Sequence, residues 1–140
     1  MKIETIGSFA SITNRIDKKG KDMSDFLSKI ASELNSKIQR RVQANGKGSD
    51  GNNLKRYSKT YANTRERLGY QSRFRDLTRT GKMWQSLTTA EVGKNKVEML
   101  FGGAEEKAKA AGNDKRTPFF SLAPGEQAYL QRRLEEFAKV

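Results

Sequence analysis

Asp22-Met-Ser-Asp-Phe-Leu-Ser-Lys-Ile-Ala-Ser-Glu-Leu-Asn-Ser-Lys-Ile-Gln-Arg-Arg-Val-Gln-Ala44 sets Met23, Phe26, Leu27, Ile30, Ala31, Leu34, Ile38 and Val42 at steps of three and four. That spacing predicts one long amphipathic helix over 22–44 with a single buried stripe. Asp22 is its expected N-cap, Lys37, Arg40 and Arg41 suit the negative end of the helix dipole, and Asn45-Gly46 supplies the stop. Burying the larger apolar side chains of this stripe yields roughly 10–20 kcal/mol before conformational entropy is subtracted. The helix is therefore expected to anchor the fold.

Working outward, Gly46-Lys-Gly-Ser-Asp-Gly-Asn-Asn53 has no period and reads as turns within a basic loop over 45–57. Its three glycines match the dinucleotide-binding pattern, but that motif needs a strand before it, and here a helix precedes it. Ser58 is the expected cap of a short helix over 58–68 ended by Gly69, with Tyr61, Thr64 or Arg65, and Leu68 along one side. Thr80 is the expected cap of another, whose first turn holds Gly81 and Lys82 and whose apolar patch is Met83, Trp84 and Leu87. Thr88–Val92 and Lys96–Phe101, separated by Gly93-Lys94-Asn95, read as a hairpin with Val97, Met99 and Phe101 on one face. Residues 104–111 suit a short exposed helix, with Gly112-Asn-Asp-Lys115 returning to loop, and Pro124 opens a C-terminal helix over 124–139 with a Leu130, Leu134, Phe137 seam. In the N-terminal strand or arm, 1–20, Ile3, Ile6, Phe9, Ile12 and Ile16 fit a helical spacing as well as strands, the strand reading being preferred. The expected fold is one α+β domain over 1–140, a small antiparallel sheet packed against the long helix, with short helices and a C-terminal helix.

Charge bears on function. The 140 residues carry 28 Lys and Arg against 16 Asp and Glu, a net +12, and contain neither His nor Cys. Residues 47–80 hold nine cations and three acids, half of the net charge in about a quarter of the chain. One electropositive face is expected, directed at an acidic partner. Lys47, Lys55, Arg56, Lys59, Arg65, Arg67, Arg73, Arg75 and Arg79 form this candidate set, facing either DNA or an acidic protein surface. Tyr57, Tyr61, Tyr70 and Phe74 among them allow base stacking, although packing is their commoner use.

The absence of Cys and His removes disulfides, a thiolate nucleophile, thiolate zinc sites and the commonest general base. The acid pairs Glu105/Glu106 and Glu135/Glu136 are helix neighbours that diverge instead of converging on one bond. Asp50, Glu66, Asp76 and Glu91 show no order that suggests a magnesium cage. The expectation is a protein without enzymatic activity, cofactor or metal. No stretch is long and apolar enough for a membrane span, and Met1–Ile16 interleaves polar and charged residues where a signal peptide needs an apolar run, so a soluble, unexported chain without membrane contact is expected. Hydrophobic residues make up only 34%, so contacts between copies are expected to contribute stability. In Arg116-Thr-Pro-Phe-Phe-Ser-Leu-Ala-Pro124 two prolines bracket two aromatics, which suits either a core-closing turn or a subunit interface through Arg116, Pro118, Phe119 and Phe120.

The succession of a long helix, a Ser-Asp-Gly loop, a Ser-Lys-Thr helix start, Leu77-Thr-Arg-Thr-Gly-Lys-Met-Trp-Gln-Ser-Leu87, a hairpin and Arg116-Thr-Pro-Phe-Phe120 resembles the tail-completion and virion-morphogenesis proteins of tailed bacteriophages. This neck family joins head to tail. Asp50-Gly51, Ser58, Leu77, Thr80-Gly81, Ser86, Arg116 and Pro118-Phe119 take the places of its motifs over residues 25–140. The family's aromatic after Asp-Gly is absent, with Leu54 or Tyr57 as stand-ins; Thr117 interrupts Arg-Pro, and Trp84 stands one residue off the family's Leu of Leu-x-x-Ser. The resemblance implies a structural virion component at the head-tail junction, assembled in the host cytoplasm. It also implies a homo-oligomeric ring around the DNA channel, in contact with portal and tail proteins and, non-specifically, with passing double-stranded DNA. The competing reading is a DNA-binding accessory protein acting outside the particle.

Overall fold

The computed structural model describes residues 1–4, 10–20, 22–93 and 96–139. In chain order they form β1 (Lys2–Glu4), α1 (Ala10–Lys18), α2 (Ser24–Gln43), α3 (Lys59–Arg67), α4 (Lys82–Gln85), β2 (Leu87–Gly93), β3 (Lys96–Phe101), α5 (Ala104–Arg116) and α6 (Pro124–Lys139). The architecture is α+β. The sheet is antiparallel in the order β1-β3-β2, with Lys2 opposite Glu98 and Leu87 opposite Phe101.

Helix α2 is where the periodicity puts it. Leu27, Ile30, Ala31, Leu34, Ile38 and Val42 are buried along it, and the stripe lies on β2 and β3. Its start differs from expectation: Met23, not Asp22, takes the N-cap position and no side chain caps the helix, although the Asp22 carboxylate accepts the Ser24 amide at 2.9 Å just ahead of it; Gly46 ends the helix in the left-handed region at φ 62°. Strand β3 alternates as its sequence demands: Val97, Met99 and Phe101 are buried toward the core. Helix α6 packs against α1 and α2, burying Leu130, Leu134 and Ala138, with Phe137 stacked on Phe26 at 4.4 Å. Ile12 and Ile16 of α1 join the same continuous core.

Several expectations need correction. Among the described residues of the N-terminal segment, Lys2–Glu4 form a strand and Ala10–Lys18 a helix, so Ile12 and Ile16, four apart, serve as helix-face residues. Ile6 and Phe9 of that pattern, and the Lys94-Asn95 turn, lie outside the described residues. Gly112–Lys115 is not a loop, because α5 runs on to Arg116. Asn113 donates to the Lys109 carbonyl, and the Asp114 carboxylate takes the amides of Phe119 and Phe120 at 2.9 Å each, so these polar residues organise the helix end. Gly81, at φ 82°, takes the cap position of α4 in place of Thr80, whose hydroxyl lies 3.4 Å from the Lys82 amide without capping the helix, and Leu87 belongs to β2 instead of the helix patch. Leu68, expected on the packed side of α3, is 51% exposed.

One side chain ties the far ends of the fold together. Arg41 pairs with Glu126 of α6 through Nε at 2.8 Å and Nη2 at 3.1 Å. Its Nη1 donates to the Lys47 carbonyl, and Nη2 donates to the carbonyls of Phe119 and Ser121. Glu126 in turn accepts the Ala123 amide at 2.9 Å, holding the entry to its own helix. Beside this knot the 46–54 loop meets the Pro118 segment at contact distance: the Ser49 amide donates to the Pro118 carbonyl at 3.0 Å, and a Cβ on Gly48 would sit 2.8 Å from that oxygen. Of the three glycines, Gly48 thus serves close approach between loops, while Gly51, with open space around it, serves the turn through its φ of 83°.

Candidate functional site

The site grows from α3. The Ser58 hydroxyl accepts the Tyr61 amide at 3.2 Å and starts the helix; Gly69, at φ 86°, turns the chain so that residues 70–78 pass back across it. The i, i+4 spacing sets Tyr61 and Arg65 on one side. Arg65, only 2% exposed, donates Nε to the Gln71 carbonyl at 2.9 Å and Nη1 to the Thr78 carbonyl at 2.7 Å. Its Nη2 pairs with Asp76 at 3.2 Å, and the rings of Tyr57, Tyr70 and Tyr61 surround the guanidinium at 4.6, 5.4 and 5.9 Å. Asp76 also accepts the Tyr57 hydroxyl at 2.9 Å and the Thr78 amide at 3.0 Å. Burial, reinforced by the Asp76 charge, pushes the Tyr57 phenol up to about 12.

A groove of about 840 Å³ opens between this layer and the α4–α5 side. Tyr57, Tyr61 and Tyr70 line one wall; Met83, Glu106 and Lys109 line the other, with Arg75, Arg79 and Arg116 among the remaining lining residues. Arg75 leans over Tyr57 at 5.1 Å and donates to the carbonyls of Lys55 and Arg56. Arg79 and Arg116 are exposed and have no ion-pair partner among the described residues. Leu77, also in the lining, is held at φ 54°, a left-handed backbone that a branched residue adopts only at a cost of about 1–2 kcal/mol. Lys109 bridges Glu105 at 3.1 Å and Glu106 at 3.6 Å, and those carboxylates, Glu105 first, raise its ammonium pKa. The second carboxylate oxygen of Glu106 is buried without a partner.

The nine candidate cations therefore separate. Lys55, Arg56, Lys59, Arg67, Arg73 and Arg79 are exposed; Lys47 and Arg75 are half-buried, Lys47 in a bridge with Asn53. Arg65 does not belong to an outward-facing set, because its charge is used inside by Asp76 and two carbonyls. The proposed interface residues divide likewise. Phe119 is fully buried in an aromatic cluster, 5.7 Å from Trp84 and 6.4 Å from Phe101, and Phe120 packs on Phe101 at 4.7 Å. Both close the core of their own chain, leaving Arg116 and Pro118 exposed. Arg116 lines the groove instead.

Sequence reasoning did not find Glu106 and Lys109, or the groove role of Arg116. The signal was present: Glu106, Lys109, Asn113 and Arg116 follow at steps of three, four and three, one helical face. Reading Gly112-Asn-Asp as a loop broke that series. Among the described residues no group of three or more His, Cys, Asp or Glu is placed to hold a metal, and no helix is long and apolar enough to cross a membrane. No protein-family model matches the chain, and no curated protein or solved structure is detectably similar to it.

Proposed function

We propose that this chain is a structural component of a tailed-phage neck, joining head and portal to tail as part of an oligomeric ring around the DNA channel. One observation carries the reading: the dispersed motifs behind the family resemblance are the residues that steer this chain at its junctions. Asp50 turns the loop by accepting the Asn52 amide at 2.9 Å, and the same loop joins the Pro118 carbonyl through Ser49. Ser58 starts α3, Gly81 starts α4, and Ser86 closes α4 by donating to the Met83 carbonyl at 2.7 Å while its own carbonyl takes the Gly102 amide. Phe119 completes the aromatic core. Such residues preserve a shape, and no group among them is arranged for bond-breaking.

The exposed Lys55, Arg56, Lys59, Arg67, Arg73 and Arg79 suit this role, since cations along a channel offset phosphate charge without reading bases. Electron microscopy of virions carrying a tagged copy tests the reading. Density at the head-tail junction is expected. A chain absent from mature particles, yet bound to duplex DNA in the host, would replace the reading with that of an accessory DNA-binding protein. Replacing the six exposed cations by Glu is expected to leave folding intact and to reduce virion yield; unchanged yield sinks the assignment of that face.

A further inference from the structure

The sheet ends in two edges, and they are unlike. On one side of β3 the Met1 and Met99 backbones exchange both bonds at 2.7 Å, so Lys2 and Glu4 of β1 turn their amides and carbonyls outward. That edge is three residues long and two of them are charged, which is the guarded kind. On the other side the Gly102 amide donates to the Ser86 carbonyl at 2.9 Å. By the alternation of an antiparallel ladder this makes Ser86/Gly102, Thr88/Leu100 and Ala90/Glu98 the hydrogen-bonded pairs, and it aims the N–H and C=O groups of Leu87, Thr89 and Glu91 away from β3. The elements packed on β2 are β3 and α2, and among the described residues no hydrogen bond takes up the outward groups of Leu87 or Thr89. The register shift between Glu91 and Gly93 ends the regular edge there. Leu87–Gly93 holds none of the chain's 28 Lys and Arg and no proline, the residues that usually guard an edge. Beside it lies a cleft of about 250 Å³ whose α2 wall, Ser32, Asn35, Ser36 and Gln39, is neutral. On a molecule of net +12, this is a flank where a second copy meets no cation.

We propose that two copies of this chain pair through β2, antiparallel about a dyad at Thr89, and so join their two three-stranded sheets into one. The edge is complementary to itself. With Thr89 opposite the partner's Thr89 and Leu87 opposite the partner's Glu91, every outward N–H meets a carbonyl, and a Thr–Thr pair sits at the centre. The dyad stands normal to the sheet, so both α2 helices lie on the same face, and exposed Ser32 and Ser36 are small enough to let the two neutral flanks approach. A strand of another protein is the competing occupant; the second copy is favoured because symmetry alone supplies the matching spacing and the matching cation-free flank, and two-fold pairs are the commonest assemblies. The inference goes beyond the reading as a neck component and does not rest on it, since a two-fold contact closes no ring by itself.

The test is sedimentation velocity of the purified full chain over a concentration series, joined to non-reducing electrophoresis of cysteine variants. The unmodified chain is expected to sediment as a dimer that dissociates on dilution. Thr89→Pro removes an outward N–H and none donated to β3, and it is expected to weaken association by more than about tenfold with the circular dichroism spectrum unchanged. In the paired register Thr88 and Ala90, both exposed, stand opposite the partner's Ala90 and Thr88 as pairs without hydrogen bonds, their Cα atoms about 4.5 Å apart, within the roughly 4.4–6.8 Å that a disulfide spans. The chain has no Cys of its own, so Thr88→Cys with Ala90→Cys is expected to give a covalent dimer on oxidation, whereas Lys107→Cys with Ala111→Cys, also exposed but on α5, is not. A chain monomeric throughout, which leaves the edge to a strand of another protein, a dimer indifferent to Thr89→Pro, or equal cross-linking in the two cysteine variants would overturn the proposal. The cysteine result holds whether or not the proline variant folds. These outcomes are independent of particle location: a monomer found at the head-tail junction ends the pairing and keeps the neck reading, and a β2-paired dimer missing from virions does the reverse.

Discussion

Arg41 shows how much one side chain carries in this fold. Its guanidinium holds Glu126 and three carbonyls drawn from the glycine loop and the Pro118–Ser121 segment, and it is mostly buried while doing so. Removing one partner of a buried, hydrogen-bonded pair strands the other, so Arg41→Met is expected to cost about 3–5 kcal/mol, measured by equilibrium urea unfolding. Tyr57 gives a pH-dependent counterpart. Its phenol stays protonated up to about 12 in the fold against 10.0 ordinarily, so its contribution is complete below pH 10 and drains away as pH rises through 12. Ultraviolet titration should show a late tyrosinate phase near pH 12 that disappears in Tyr57→Phe; a phase that persists would place the shift elsewhere. Neither role was legible in the sequence. Arg41 and Arg65 look like any other cations, and only the fold brings Asp76, eleven residues beyond Arg65, and Glu126, 85 beyond Arg41, into reach.

At the scale of elements, periodicity told the truth wherever a single face decides the structure. Helix α2 and strand β3 each bury one face against a large neighbour, so spacing in the sequence is spacing in the core. Helix α5 buries Ala110 and little else that is apolar, and it leans on polar contacts made by residues that usually punctuate loops. Its extent, and with it one wall of the groove, was hidden for that reason. The Pro-Phe-Phe segment offered two readings, and the packing of Phe119 between Trp84 and Phe101 selects the core-closing one. Phe119→Ala is therefore expected to lower unfolding stability by about 3–5 kcal/mol, while Arg116→Glu, at an exposed position without an ion-pair partner among the described residues, moves it by less than about 0.5 kcal/mol. Thermal denaturation of the two variants side by side checks this, and a stable Phe119→Ala chain that merely dissociates would restore the interface reading.

Over the whole molecule, charge and apolar surface are unequally distributed. Among the described residues only Leu68 and Tyr70 are large hydrophobics left exposed, so copies of this chain or its partners meet a surface governed by charge and shape. Six of the exposed cations come from the 47–80 segment. Binding to duplex DNA is expected to weaken steeply with salt, the logarithmic slope falling by about 0.9 for each phosphate contact removed. Converting Arg67 and Arg73 to Gln should flatten the slope accordingly without altering sequence preference, as read by filter binding across a salt series; an unchanged slope would show that these two side chains meet no phosphate.

The chain's single tryptophan sits at 3% exposure, edge-on to Phe101 and Phe119, while its neighbour in sequence, Met83, forms part of the groove lining. Nature has thereby installed an optical gauge. The indole's blue-shifted emission will report loss of the interior as a large red excursion and occupancy of the adjoining cleft as a small intensity change, letting one unlabelled sample separate denaturation from ligand uptake.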